Sequence, residues 1–139
     1  MEKLQWIDSY NLGIRRIDYQ HQYFLELINW LSYKLEAIKN SDLGQRYIEE
    51  LLNYSPFHFF SEETLMLEIG FPELKAHQEQ HRELVNHLSQ VSSRLEMGEI
   101  EPVELIHFLF EWFVNHTAEE DCKIAKFLGR RTCTEPGLS

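Results

Sequence analysis

The sequence predicts an all-α protein, an up-down-up-down antiparallel four-helix bundle with an irregular N-terminal arm. Apolar residues recur every three or four positions through four long segments, which is the spacing of one buried helix face. The 139 residues include only 6 glycines and 4 prolines and few runs of β-branched residues, so a sheet is disfavoured. Short connections between long helices make consecutive helices antiparallel. A chain of this length can enclose a core of its own.

An irregular arm and the first helix open the chain. Residues 1–17 contain Gly13, which interrupts helical spacing, together with enough apolar side chains to lie over a core. Asp18 is of a type favoured at helix N-caps, so the first helix is predicted to begin there and to end near Asn40. His21 lies in its first turn, on the side of the apolar stripe. We therefore expect His21 to point towards the core.

Three further helices follow after short connections. They are predicted over residues 42–69, 72–95 and 102–128. Pro56 lies inside the second of them, where the missing amide hydrogen predicts a kink or a bulge. The bundle then covers residues 18–129 and, with the arm, the domain covers residues 1–129. Residues 130–139 hold almost nothing apolar and are predicted to be a tail or linker.

Charge and cysteine content restrict the partners and the compartment. The formal net charge is −10, from 13 basic and 23 acidic residues, which argues against nucleic acid and anionic membranes. We expect no signal peptide and no membrane span, because no apolar run of the required length is present. Cys122 and Cys133 follow no scaffold spacing and are interpreted as free thiols in a reducing compartment. A soluble, cytoplasmic protein is predicted.

Two pairs of metal-binding residue types mark the centre of the chain. His58 and Glu62 are four residues apart, and so are His77 and His81, so each pair lies on one face of its helix. A Gly-Phe-Pro sequence at residues 70–72 ends one helix and begins the next. The two pairs are therefore predicted to face each other across a helix hairpin.

The first and fourth helices add further candidates at the same end of the bundle. His21 lies near the start of the first helix, and His116 and Asp121 lie in the second half of the fourth. Glu120, four residues after His116, fits α-helical spacing better than Asp121 at five residues. Asp121 would have to reach sideways, which suits a carboxylate that bridges two metals. Spacing alone leaves both carboxylates possible.

The number and type of these candidates indicate two metal ions. Five imidazoles and two carboxylates are too many for one tetrahedral zinc. They suit two first-row metals that share the carboxylates. Imidazole accepts iron, copper, nickel or zinc, whereas bridging carboxylates favour iron or manganese. With a further oxo or hydroxo bridge, two octahedral ions keep one coordination position open for a small molecule.

The residues lie in motifs that resemble those of the bacterial hemerythrins over most of the chain, from Trp6 to about Leu128. The matching stretches are IDYQH at 17–21, HFxxEE at 58–63, HxxxH at 77–81 and WFxNHxxxxD at 112–121. This resemblance implies a non-haem di-iron centre with an oxo or hydroxo bridge, and it favours Asp121 over Glu120. The implied ligands of one iron are His77, His81 and His116. Those of the other, which keeps the open position, are His21 and His58, and the bridges are Glu62 and Asp121.

Three positions near this site depart from the family pattern, and one of them is Pro56, two residues before His58, where the family seldom has proline. Thr117 stands where the family usually has isoleucine, and Phe113 stands where a pocket-lining leucine is common. Both are predicted to line the ligand pocket and to alter ligand entry or autoxidation, unless they are neutral repacking. Glu63 and Glu119 are interpreted as a solvated face. His87 and His107 are not expected to be ligands.

The resemblance implies reversible binding of dioxygen, with small anions such as azide as ligand analogues and no catalytic residue. The C-terminal tail fits a linker to a covalently attached output domain and equally a frayed C-terminus, so it does not separate the possible roles. The smaller, polar Thr117 beside the site favours an oxygen- or redox-sensing domain of a bacterial signalling protein. One alternative is a stand-alone protein that stores or carries oxygen. Another, of a different class, is a di-iron peroxidase or nitric-oxide-handling enzyme.

Overall fold

A computed structural model describes residues 5–38 and 41–129 of the chain, and no strand occurs in these two ranges. The α-helices are α1 (Arg15–Ile38), α2 (Asp42–Ile69), α3 (Leu74–Glu96), α4 (Pro102–Phe113) and α5 (Cys122–Phe127). A 3-10 turn, Asp8–Tyr10, lies in the arm, and a π-helical segment, Val114–Glu120, lies between α4 and α5. The predicted tail at residues 130–139 and the predicted helix end at Asn40 lie outside the described residues.

The helices pack as a four-membered ring, as predicted. Helix α1 packs against α2 and α4, and α3 packs against the same two neighbours. The core between them is aliphatic and aromatic, with Phe24, Ile28, Leu105 and Leu109 almost fully buried. Each consecutive pair is joined by a short connection, so the bundle runs up-down-up-down.

The start of α1 differs from the prediction. The helix begins at Arg15, and Asp18 lies inside it instead of at its N-cap. The Asp18 carboxylate accepts hydrogen bonds from the backbone amides of Leu12 at 2.8 Å and Gly13 at 3.1 Å. Its side chain therefore reaches back to the arm and holds it against the bundle, a use of aspartate that helical spacing does not distinguish from an N-cap.

Helix α2 has the predicted bounds because both ends carry local signals. The Ser41 hydroxyl accepts a hydrogen bond from the amide of Gly44 at 3.1 Å, and the helix ends at Gly70 in the left-handed conformation. The helix is α-helical throughout and continuous through Pro56, so of the predicted kink or bulge the bulge is absent and the kink stays a prediction. Proline removes a single backbone hydrogen-bond donor, and the hydrogen bonds on either side of it can keep a long helix intact at this position.

The fourth predicted helix is the one that changes character. Residues 102–113 are α-helical, but the chain then widens into the π-helical segment before α5. The amide of Asp121 donates to the carbonyl of His116 at 2.8 Å, a hydrogen bond that spans five residues. This closure is characteristic of π-helical turns, which are often found at functional sites.

Cys122 corrects the interpretation of the cysteines. It is fully buried and disulfide-bonded, so it is not a free thiol. Cys133, the other cysteine of the sequence, lies outside the described residues. A disulfide depends on proximity in the fold, and two cysteines without a scaffold spacing carry no sequence signal for pairing.

In the part of the chain that is described, no helix has the length and apolar character to cross a membrane.

Candidate metal centre

All seven predicted ligand residues converge inside the bundle. One comes from α1, two from α2, two from α3, one from the π-helical segment and one from the residue that follows it. Each is at most 5% exposed, and these residues are His21, His58, Glu62, His77, His81, His116 and Asp121. Five imidazoles and two carboxylates thus share a volume from which water is largely excluded.

Glu62 lies between two sets of imidazoles. Its Oε2 is 3.3 Å from Nε2 of His21 and 3.2 Å from Nε2 of His58. Its Oε1 is 3.3 Å from Nε2 of His77 and 3.1 Å from Nε2 of His81. Each carboxylate oxygen therefore faces a different group of rings, which is the arrangement of a bridging ligand.

Asp121 divides its oxygens in the same way. Its Oδ1 is 2.9 Å from Nε2 of His77 and 3.0 Å from Nε2 of His116. Its Oδ2 is 3.1 Å from Nε2 of His21. Asp121 is thus the second carboxylate that spans both sets of imidazoles.

The π-helical segment resolves the choice between Glu120 and Asp121. In an α-helix the residue five positions after His116 would turn away from it. Because the segment closes its hydrogen bonds over five residues, Asp121 lies on the same face as His116 and needs no sideways reach. Glu120 instead accepts hydrogen bonds from Gln80 at 3.2 Å and Lys123 at 3.0 Å, outside the cluster.

The donor atoms form two overlapping groups that share both carboxylates. Within each group the atoms lie within 4.8 Å of one another. One group is Glu62, His77, His81, His116 and Asp121, and the other is His21, His58, Glu62 and Asp121. The groups have the size and composition of two metal sites with two common bridges.

The two buried carboxylates of the cluster favour positive charge on the groups around them. Burial alone would lower the pKa of the imidazoles, but hydrogen bonds and charge attraction from Asp121 and Glu62 outweigh it. They raise the pKa of His21 to about 9 and that of His116 to about 10. The same contacts hold the pKa of both carboxyls below its ordinary value, despite burial. For His58 burial prevails and lowers the pKa.

Two further contacts fit metal ions better than protons. Nε2 of His81 and Nε2 of His116 face each other at 3.1 Å, and at most one of them can donate a proton to the other. Among the described residues, no donor is aligned with Asp121 Oδ2, although His21 lies beside it. Lone pairs that converge in a buried space are costly unless a cation joins them. The donor set therefore fits a pair of first-row metal ions.

Outer hydrogen bonds hold two of the rings with Nε2 directed inward. Nδ1 of His58 lies 2.7 Å from Gln20 Oε1, and Nδ1 of His81 lies 2.7 Å from Glu63 Oε2. Both oxygens accept, so each ring carries its proton on Nδ1 and leaves Nε2 free for a metal. The interpretation of Glu63 as part of a solvated face is therefore wrong.

Gln20 and Glu63 are positioning residues that the helical spacing did not predict. Both are adjacent in sequence to a predicted ligand, His21 or Glu62, and this adjacency was the available signal. Their contacts cross from one helix to the next, however, and helical spacing within one segment does not predict such pairs. His87 and His107 are exposed, in agreement with the expectation that they are not ligands.

The two predicted pocket residues lie at the wall of the cluster. The Phe113 ring is buried, with its centroid 6.3 Å from that of His21 and 5.4 Å from that of Tyr10 in the arm. Thr117 is also buried, one residue beyond His116. Tyr10 is thereby placed over the same wall, a role that its position in an irregular arm did not indicate. The effect of Phe113 and Thr117 on ligand entry stays a prediction.

The raised imidazole pKa values predict how the stability of metal-free protein depends on pH. The pKa of His21 and His77 is about 9 in the folded chain against 6.5 ordinarily, so folding binds protons in that interval. The stability that these protonated imidazoles give to the folded protein is complete below pH 6.5 and is lost as the pH rises through about 9. Each group is expected to lower the free energy of unfolding by about 1.4 kcal/mol per pH unit in this interval. The combined decrease is smaller than the sum of the two, because the rings share their carboxylates.

Urea unfolding at a series of pH values measures this dependence. Metal-loaded protein is the control, because bound metal replaces the protons and removes the decline above neutral pH. A metal-free protein whose free energy of unfolding stays constant or rises over this interval would contradict the charge balance described for the cluster.

Comparison with known proteins agrees with this geometry. The model of the hemerythrin HHE cation binding domain matches residues 12–128. A bacteriohemerythrin of Pseudomonas aeruginosa is 35% identical over 121 residues, which are 87% of this chain and 78% of that protein. A bacteriohemerythrin of Stenotrophomonas maltophilia is 33% identical over the same shares of the two chains.

Solved structures give the same result. Crystal structures of hemerythrin variants, with one leucine replaced by tyrosine or by alanine, superimpose with a TM-score of 0.80 at 26% sequence identity. The match covers 91% of this chain and 97% of theirs.

Proposed function

Since the chain belongs to the hemerythrin family, whose members hold a di-iron centre, we propose that it binds two iron ions and, at one of them, dioxygen reversibly. Glu62 and Asp121 would be shared by the two ions. His77, His81 and His116 would hold the first ion, and His21 and His58 would hold the second.

The observation that carries the proposal is the unequal division of imidazoles around the two carboxylates. Three rings lie on the side of Glu62 Oε1, with His116 the farthest at 3.8 Å, and two lie on the side of Oε2. The ion beside His21 and His58 therefore has fewer protein ligands. A metal that binds a small molecule needs such an open position, and the wall formed by Phe113 lies on that side, against His21.

The residues also favour binding over substrate oxidation. Ferrous iron, when bound, supplies the electrons that dioxygen takes up. Five neutral imidazoles and only two carboxylates give less negative charge than a site built mainly of carboxylates, so they stabilise high oxidation states less. The buried walls of the site restrict the access of water and protons to it, which favours release of the ligand unchanged.

An absorption spectrum recorded through an oxygen cycle tests the proposal. Protein loaded with ferrous iron under argon is expected to be nearly colourless and to gain a visible charge-transfer band in air. That band should disappear when oxygen is removed and return when air is readmitted. Irreversible bleaching or browning on the first exposure, with no recovery of the ferrous spectrum, would contradict reversible binding.

We further propose that the chain serves as an oxygen- or redox-sensing domain of a bacterial signalling protein, with a covalently linked output domain. The basis is the more open pocket expected from Thr117, which would shorten the life of an oxygen adduct and so suits sensing better than storage. Storage or transport of oxygen is the alternative role, and a di-iron peroxidase is the enzymatic one. A cytoplasmic location stays a prediction, and the disulfide at Cys122 removes the argument from free thiols.

Replacement of Thr117 tests the role of the pocket wall. Thr117→Ile adds apolar volume beside His116, so it is expected to slow both autoxidation of the oxygen adduct and azide binding to the diferric form. Stopped-flow absorption at one pH measures both rates. Thr64→Ile is the matched control, because Thr64 lies on the exposed side of α2. Equal rates in wild type and Thr117→Ile would rule out a gating role and the preference for sensing.

A further inference from the structure

A line of aromatic rings joins the candidate metal centre to the protein surface. Tyr54 lies one turn before His58 on α2, with ring centroids 6.3 Å apart and planes at 8°. Tyr23 of α1 packs against Tyr54 with a centroid distance of 4.9 Å. Tyr23 is 41% exposed, so two rings span the distance from a candidate iron ligand to solvent. Short ring-to-ring steps of this kind allow rapid electron transfer.

The two phenols differ in their hydrogen-bond acceptors. The Tyr54 hydroxyl donates to the backbone carbonyl of Gln20 at 3.1 Å. The Tyr23 hydroxyl donates to the carboxylate of Glu50 at 2.6 Å. A carboxylate can take up the proton that a phenol releases when it is oxidised, whereas a backbone carbonyl cannot. Tyr23 is therefore the ring on which an oxidised phenol would be stabilised.

We propose that Tyr23 is a redox-active residue that donates one electron, through Tyr54 and His58, to the metal centre when hydrogen peroxide reacts with a half-reduced centre. We call His58, Tyr54, Tyr23 and Glu50 the tyrosine relay. The proposal rests on the proposed function of His58 as an iron ligand. It adds to oxygen binding a second activity, the complete reduction of peroxide.

The electrons and protons of this step balance. Reduction of hydrogen peroxide to two waters consumes two electrons and two protons. A half-reduced centre holds one ferrous ion and gives one electron. Tyr23 gives the other, its O–H bond breaks and the proton passes to Glu50, while solvent supplies the two protons that form water. The products are a diferric centre, two waters and a neutral tyrosyl radical.

The relay has a chemical advantage for the cluster. Without a second electron, one-electron reduction of peroxide releases hydroxyl radical beside the buried imidazoles. With the relay, the oxidising equivalent moves to the surface. There a one-electron donor of the thiol or ascorbate class can reduce the radical, and Glu50 returns its proton.

The surface end of the relay is open to such a donor. Tyr23, Glu50 and Tyr54 line a groove of about 520 Å³ between α1 and α2, together with Arg46 and Asn53. A small reductant can thus reach the oxidised ring directly. Grooves of this volume are typical of small-molecule sites.

Trp112 is the competing aromatic residue and lacks this arrangement. Its ring is nearly parallel to that of His116, with centroids 6.2 Å apart. The indole Nε1, however, has no hydrogen-bond acceptor among the described residues. An oxidised Trp112 would have no adjacent group to accept its proton, so the relay through Tyr23 is favoured.

The first test uses iron-loaded protein. A half-reduced sample is mixed with hydrogen peroxide and frozen for electron paramagnetic resonance. A neutral tyrosyl radical is expected in wild type, none in Tyr23→Phe, and about a tenfold lower yield in Glu50→Gln, since a hydrogen bond to an ionised acceptor is strong. Tyr33→Phe is the control, because Tyr33 is exposed and outside the relay. A radical that persists in Tyr23→Phe overturns the proposal.

The second test needs no iron and therefore separates this proposal from that of the metal centre. Metal-free protein in which Tyr19 and Tyr33, the other exposed tyrosines of the described residues, are phenylalanine is oxidised by a photogenerated ruthenium(III) polypyridyl complex. The initial rate at which the Tyr23 phenol is oxidised is expected to fall about tenfold in Glu50→Gln. It should stay unchanged in Glu49→Gln. Equal rates in Glu50→Gln and its parent overturn the role of Glu50, whether or not iron binds.

Discussion

Glu62→Gln is expected to abolish binding of both iron ions and to lower the free energy of unfolding by about 3–5 kcal/mol. Both Glu62 oxygens face imidazole nitrogens, at distances from 3.1 Å to 3.3 Å for the four nearest rings. Glutamine keeps the volume but replaces one oxygen by an amide nitrogen, which does not bind iron. It also leaves the imidazoles with a single buried carboxylate as countercharge.

The neighbouring residue provides a matched control for this variant. Glu63→Gln makes the same chemical change one position later, where the carboxylate contacts the outer nitrogen of His81 and the side-chain amide of Gln78. It is expected to keep both iron ions and to weaken their binding about 10- to 100-fold. Iron analysis and chemical unfolding measure the two effects. Full iron content in Glu62→Gln, or equal losses in the two variants, would contradict the bridging role.

His58→Ala and His77→Ala are expected to affect different iron ions. His58→Ala leaves only His21 as terminal ligand of one ion, so that ion should be lost. His77→Ala leaves two imidazoles on the other ion, so binding there should weaken without complete loss. Both variants should also unfold at lower temperature, because metal binding is coupled to folding.

Metal content per chain and thermal unfolding measure these effects. His87→Ala is the control, since His87 lies on the same helix as His77 but is exposed and outside the cluster. An unchanged iron content and optical spectrum in either ligand variant would show that the residue is not a ligand. Identical losses in His58→Ala and His77→Ala would contradict the unequal division of imidazoles.

Local signals explain what could be predicted about the fold. Ser41 and Gly70 mark the two ends of α2, and the structure has the helix between them. The pairs His58–Glu62 and His77–His81 follow from spacing within single helices. Asp18 shows the limit of such signals, because the same carboxylate can cap its own helix or hold the preceding arm.

The features that were missed depend on contacts between segments. The π-helical turn that aligns His116 with Asp121 has no pattern of its own, so α-helical geometry misplaced Asp121 relative to Glu120. Glu63 and Gln20 act across helix boundaries on rings from other helices. The disulfide at Cys122 likewise depends on the folded chain. Each of these features depends on residues that become neighbours only in the folded chain. Helical spacing within one segment does not predict such contacts.

The stoichiometry of iron binding tests the account most directly. Metal-free protein is titrated with ferrous iron under argon, and bound iron is counted per chain after gel filtration. Two overlapping donor groups, both completed by Glu62 and Asp121, predict two iron ions per chain. Saturation at one ion per chain, or exclusive retention of a single zinc ion, would contradict a di-iron centre.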